Sequence, residues 1–156
     1  MKAIHSMIAA LALAFALPAS ADAAVGGPEV IIYRFPGVSD DGGGPNVGVT
    51  TVFHCTNFSG VQETVRFAGR SDGGGLVVNG TININHLATA VVFTHLNAAY
   101  VGVSVTTGSA NSGTMAIAAT SINIICTAMT IDAANPKPTG VALRGIRFSP
   151  VPGSQE

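Results

Sequence analysis

The sequence VGVTTVFHCT, residues 47–56, shows most directly that this chain forms β-strands. Successive side chains of a strand point to opposite faces, so residues two apart share a face. One face here carries Val47, Val49, Thr51, Phe53 and Cys55, and the other carries Thr50, Val52, His54 and Thr56. The pattern predicts a strand that buries the face carrying Phe53 and Cys55.

The same kind of stretch recurs along the chain. Val, Ile and Thr gather in short segments separated by Gly, Asn, Asp, Ser and Pro, which are strand and turn signals. We predict about nine strands, near 29–35, 46–56, 61–68, 75–84, 88–95, 99–106, 113–119, 121–131 and 141–148. Such regular short strands are typical of an antiparallel two-sheet β-sandwich.

Two places depart from strict alternation. Leu143, Ile146 and Phe148 do not share a face, and a bulge at Gly145 would restore one. Glu63 shares parity with its apolar neighbours in the segment 61–68. We expect it at the exposed start of its strand, with an inward charge that protects a sheet edge as the alternative.

The N-terminus has the order of a secretory signal peptide. A positive charge at Lys2 precedes the apolar run 7–17, and small-x-small cleavage signals follow Pro18. The run is too short to span a bilayer, which needs about 20 residues. We predict cleavage after Ala21 or Ala23, and thus a signal peptide at 1–23, one domain at 24–149 and a flexible tail at 150–156. The leader looks bacterial, so we expect a periplasmic or secreted product without a membrane span.

Two cysteines in an exported chain of this size usually pair, so we predict a disulfide between Cys55 and Cys126. Cys126 shares the apolar face of its own segment with Ile122, Ile124 and Ala128. Two such faces opposed across a sandwich about 10 Å thick can bring the cysteines together.

The residues around the cysteines carry a resemblance. The stretches FHCTNFSG (53–60) and ICTA (125–128) are similar to small exported bacterial β-sandwich proteins of unassigned function, which implies no catalytic residues. The cysteine spacing also resembles the immunoglobulin-like sandwich, in which a disulfide links the two sheets. The chain departs from the antibody branch of that family because it has no tryptophan, and Ile124 stands where that branch has a tyrosine.

Charge excludes one class of partner. Charged residues make up 10% of the chain and the net charge is −1. Nucleic-acid binding needs clustered Lys and Arg, so we exclude nucleic acid. Low charge also makes self-association possible.

We predict no cofactor. Copper would need a histidine between Cys126 and Met129, and there is none. Zinc motifs are absent as well. Asp40, Asp41 and Asp72, in two glycine-rich loops, are candidate calcium ligands, although ordinary β-turns use the same residues.

No motif indicates catalysis, so we do not expect an enzyme. Thr81, Asn83 and Asn85 form a polar row that is a candidate glycan surface, or simply a solvated sheet face. We therefore expect a non-catalytic exported sandwich that binds an unknown protein or glycan ligand, or forms part of the envelope or secreted matrix. The alternative is a polymerising surface subunit, pilin-like or coat-like, and a small metal-binding protein or hydrolase is the residual one.

Overall fold

The structure is a computed structural model that describes residues 28–148. These residues form ten strands and contain no helix, so none of them could cross a membrane as a helix. The strands are β1 (Val30–Asp40), β2 (Val49–Asn57), β3 (Glu63–Arg70), β4 (Leu76–Ile84), β5 (Thr89–Phe93), β6 (Val103–Ser104), β7 (Ala110–Ala119), β8 (Ile124–Asp132), β9 (Val141–Leu143) and β10 (Ile146–Arg147). The proposed signal peptide and C-terminal tail lie outside the described residues.

The strands form two five-stranded sheets, as the all-β sandwich prediction requires. The order is β10-β1-β7-β3-β4 in the first sheet and β6-β5-β2-β8-β9 in the second. Neighbours are antiparallel except for β5 and β6, which are parallel. The predicted strand at 99–106 shortens to the two residues of β6, which join the sheet after an irregular connection from β5.

The core lies between the two sheets. Three phenylalanines occupy its centre, Phe35 from β1, Phe53 from β2 and Phe67 from β3, and all are buried. The ring of Phe53 lies 5.6 Å from that of Phe35 and 5.9 Å from that of Phe67. Phe53 of one sheet therefore packs against two rings of the other sheet. These contacts confirm that the face of β2 with Phe53 and Cys55 points into the core.

Alternation was wrong at the ends of two cysteine-bearing segments. Val47 precedes β2 and is 57% exposed, and Val49 is the first residue of β2 and is 37% exposed. Ile122 likewise precedes β8 and is 43% exposed. The core face therefore begins at Thr51 in β2 and at Ile124 in β8.

The expectation for Glu63 was also wrong. Its side chain is fully buried and faces inward, and β3 lies between β7 and β4 rather than at an edge. The hydroxyl of Thr120 donates a hydrogen bond to Glu63 Oε2. Among the described residues Oε1 has no hydrogen-bond partner.

Gly145 marks a change of sheet rather than a bulge. Residues 141–143 pair with β8 in one sheet, and residues 146–147 pair with β1 in the other. The chain passes close to the ring of Phe35, where a Cβ at position 145 would lie 2.4 Å from a ring carbon. Glycine is therefore needed at the crossing.

The disulfide forms as predicted, but its placement differs from the expectation. Cys55 and Cys126 are directly opposed on the adjacent strands β2 and β8 of one sheet. Their Cα atoms lie 4.1 Å apart, the spacing of an antiparallel pair without mutual backbone hydrogen bonds. The bond does not link the two sheets, because the strands that carry the cysteines are neighbours.

Candidate functional site

The first candidate site is a cluster at the end of β1 that we call the Asp40 cluster. It is formed by the buried residues Asp40, His95 and Thr107 and by the exposed Asp41. Asp40 is 1% exposed. Its carboxylate accepts hydrogen bonds from the Gly42 amide, His95 Nδ1 and the Thr107 hydroxyl, each at 2.8 Å. One side chain thus connects β1 to the segments that follow β5 and precede β7.

His95 is engaged on both ring nitrogens. Nε2 lies 3.0 Å from the carbonyl oxygen of Val47, which can only accept, so Nε2 carries a proton. Nδ1 lies 2.8 Å from Oδ1 of Asp40. An Asp–His pair occurs in catalytic triads, but there the far nitrogen contacts a nucleophile. Here it contacts a backbone carbonyl, and the geometry supplies no base.

Asp41 is exposed and closes over the loop that follows β1. Its oxygens accept from the amides of Gly43 and Val49, at 3.1 and 3.0 Å, and these bonds hold the pKa of Asp41 below its usual value. Gly48 has a φ of 76°, and a Cβ there would lie 1.8 Å from Asp41 Oδ2. The loop can therefore close under the carboxylate only with glycine.

The calcium candidates separate in space. Asp40, Asp41 and His95 offer ligand atoms within 4.8 Å of one another, and Asp72 is not in this group. Asp72 lies in the turn between β3 and β4, where it accepts from the amide of Gly73. Within the Asp40 cluster the two carboxylates already accept hydrogen bonds, and both ring nitrogens of His95 already have partners, so a cation would have to replace these hydrogen bonds. The participation of His95 had no signal in the sequence, because it lies 55 residues from Asp40.

The polar row predicted on residues 81–85 is exposed along one face of β4 and its continuation. Asn83 Oδ1 accepts from the hydroxyl of Thr64 at 3.0 Å, and Asn85 accepts from Gln62. Thr81 lies opposite Arg66, which pairs with Glu29. The side-chain oxygens of the two asparagines are thus already used by neighbouring residues.

The second candidate site is the free edge of β4. This strand has nine residues and pairs only with β3 among the described residues. The other three edge strands, β10, β6 and β9, have two, two and three residues. Residues 76–84 contain no charge and no proline, so β4 lacks two of the usual devices that prevent strand pairing at an edge.

A groove runs beside this edge, between the two sheets. It has a volume of about 370 Å³ and is lined by Val78, Gly80, Thr81 and Ile82 of β4 and by residues 103–106. A Cβ at Gly80 would meet no heavy atom within 4 Å, so the groove is open there. We call the edge and this groove together the β4 groove. An extended chain could hydrogen-bond to the strand and place alternate side chains in it.

Comparison with protein-family models, with curated proteins and with solved structures finds no match to this chain.

Proposed function

We propose that the protein is an exported, non-catalytic β-sandwich, periplasmic or secreted, that acts by binding extended chains at the β4 groove. One observation carries this proposal: β4 is a nine-residue, uncharged edge strand, whereas the other three edge strands within residues 28–148 have two or three residues. The disulfide supports an oxidising compartment, because such bonds persist mainly outside the cytosol.

The physical reason is the row of unpaired backbone groups. An edge strand presents amide and carbonyl groups that can pair with another chain, and natural sheets protect long edges with charge, proline or bulges. β4 has a register shift only near its start, between Gly69 and Arg70 of its neighbour, so its remaining length is regular. The apolar residues Val78 and Ile82 in the groove add pockets for side chains to the main-chain pairing.

The same edge favours the second candidate function, a polymerising surface subunit. Strand exchange between copies would need an incomplete sheet and a donor segment. The stretch from Ala24 to Glu29 is short for a donor, and Glu29 is held against Arg66 in its own chain. Filaments that grow with protein concentration would favour this candidate over the binding module.

A peptide probe tests the binding proposal. The probe is a fluorescent peptide of alternating Val and Thr with terminal lysines, since strand addition depends mainly on the backbone. Binding is measured by fluorescence anisotropy on the mature protein. We expect saturable binding that Gly80→Lys weakens at least about tenfold, because a charge then stands in the groove.

Gly44→Lys is the matched control. Gly44 also has open space around its Cβ position, but it lies in the loop after β1 and not at the β4 groove. This variant should bind the peptide like the unmodified protein. Absence of binding, or equal loss in both variants, would show that the proposal is wrong.

A further inference from the structure

We propose that the partner of β4 is β4 of a second copy of this chain, paired antiparallel about a two-fold axis at Gly80. This inference rests on the proposed function, because it names the occupant of the β4 groove.

The residue types at the centre of β4 are arranged symmetrically about Gly80. Residues 78–82 are Val, Asn, Gly, Thr and Ile, an apolar and a polar residue on each side of a glycine. Val78, Gly80 and Ile82 lie opposite Gly69, Phe67 and Val65 of β3, all buried, so they occupy the inner face. Asn79 and Thr81 occupy the outer face, where both are exposed.

An antiparallel copy centred on Gly80 preserves these faces. Directly opposed residues of an antiparallel pair share one face of the sheet. Val78 then meets Ile82 of the second copy, and Asn79 meets Thr81. A pairing centred between two residues would instead put apolar residues opposite polar ones. Gly80 is also the middle residue of β4, so this register uses the whole strand.

The absence of charge along β4 and the small residue at the two-fold axis also fit a second copy. Residues 76–84 carry no charge, so two identical strands meet without the repulsion of like charges. Gly80 lacks a side chain at the place where the same side chain of both copies would come together. The half-exposed Val103 lines the groove beside each strand and would flank the joined edge.

The assembly closes on itself. An isologous two-fold contact uses the same surface on both copies and leaves none of it free. The two sheets that contain β4, one from each copy, then form one continuous sheet. The remaining edge strands β10, β6 and β9 are short and are poor templates for further addition. We therefore expect a dimer and no filament.

Cysteine cross-linking tests the register. Gly80→Cys places the two new thiols directly opposite each other, within disulfide range. Under mild oxidation, a non-reducing gel should show a covalent dimer forming at least about tenfold faster than with Gly44→Cys, an equally open site elsewhere. Asn83→Cys is the register control, because its two copies would lie about 20 Å apart along the strands.

Light scattering on the unmodified protein gives an independent measurement. The average mass should rise with concentration from monomer to dimer and stop there. The inference is overturned if the mass stays monomeric or continues to filaments. It is also overturned if Gly80→Cys cross-links no faster than Gly44→Cys, or if Asn83→Cys cross-links fastest.

The two proposals can fail separately. If the Val/Thr peptide binds at the β4 groove but no dimer forms, only the second copy is excluded as the partner. If the peptide does not bind even at protein concentrations at which the chain is monomeric, the proposed function fails as well.

Discussion

At the residue scale, Asp40 is the side chain on which most local structure depends. It is buried and accepts three hydrogen bonds, one from the nearby amide of Gly42 and two from His95 and Thr107, which lie 55 and 67 residues away. Asp40→Ala removes the acceptor of all three hydrogen bonds, two of which come from the buried side chains of His95 and Thr107. It should cost about 3 kcal/mol in the free energy of unfolding. Urea denaturation measures this cost.

The matched control for that variant is Asp72→Ala. Asp72 is exposed in a turn, where its loss should change the free energy of unfolding by less than about 0.5 kcal/mol. Equal effects of the two substitutions would contradict a structural role for the Asp40 cluster.

His54 gives stability a dependence on pH. Burial lowers the pKa of His54 below its usual value of 6.5, and its ring packs edge-on against Tyr100 at 4.9 Å. The unfolded chain therefore binds a proton more readily than the folded protein, and stability falls as pH drops below 6.5. Urea denaturation at neutral and mildly acidic pH should show a smaller loss for His54→Gln than for the unmodified protein.

The control for the pH measurement is Thr127→Ser, which changes the residue opposite His54 on β8 and removes no titratable group. Its pH dependence should match that of the unmodified protein. If His54→Gln shows the same loss on acidification as both of these proteins, the burial of His54 does not affect stability.

The burial of a side chain was predictable from the sequence where it did not depend on a hydrogen-bond partner from a distant segment. Alternation alone placed Phe53, Cys55 and Cys126 in the core. It also placed Glu63 inward, but we expected exposure because burying a carboxylate is costly. The hydroxyl that accommodates it belongs to Thr120, 57 residues away, and no local pattern indicates that contact.

At the element scale, most strands were predictable and their partners were not. The segments near β2, β3, β4 and β8 match the structure within a few residues. Strand formation follows local alternation and turn residues, whereas pairing depends on contacts between distant segments. This is why the sequence did not show that β2 and β8 are neighbours and that their cysteines pair within one sheet.

Gly145 tests the crossing between sheets. Gly145→Ala brings a methyl group into the ring of Phe35 and should destabilise the protein by about 1–3 kcal/mol, seen as a lower Tm. Gly44→Ala is the control, because its Cβ would meet no heavy atom within 4 Å. A Tm for Gly145→Ala equal to that of the control would mean that the chain does not cross as described.

At the scale of the whole molecule, the disulfide closes a long loop. Its cysteines are separated by 71 residues, and a cross-link over such a distance contributes about 4 kcal/mol in the chain-entropy model. The double variant Cys55→Ala with Cys126→Ala should lose about this amount from a typical total of about 5–15 kcal/mol. A loss below about 1 kcal/mol in urea denaturation would contradict this assignment.

The candidate site was only partly predictable. The sequence supplied Asp40 and Asp41 as a pair and the polar row on β4, but it gave no sign of His95 or of the groove. Both depend on the order of strands in the sheets. The importance of β4 appears only when it is known to be an edge and the other edges are known to be short.

Hydrogen–deuterium exchange of single amides in β4, with and without the Val/Thr peptide, tests the central claim most directly. Alternate amides of an edge strand point away from its one partner, so at protein concentrations below dimer formation these amides of β4 have no strand partner. We predict that the peptide slows their exchange at least about tenfold and leaves the amides beside Asp40 unchanged. Unchanged exchange along β4, or protection confined to the Asp40 cluster, would contradict the claim that this edge is the binding surface.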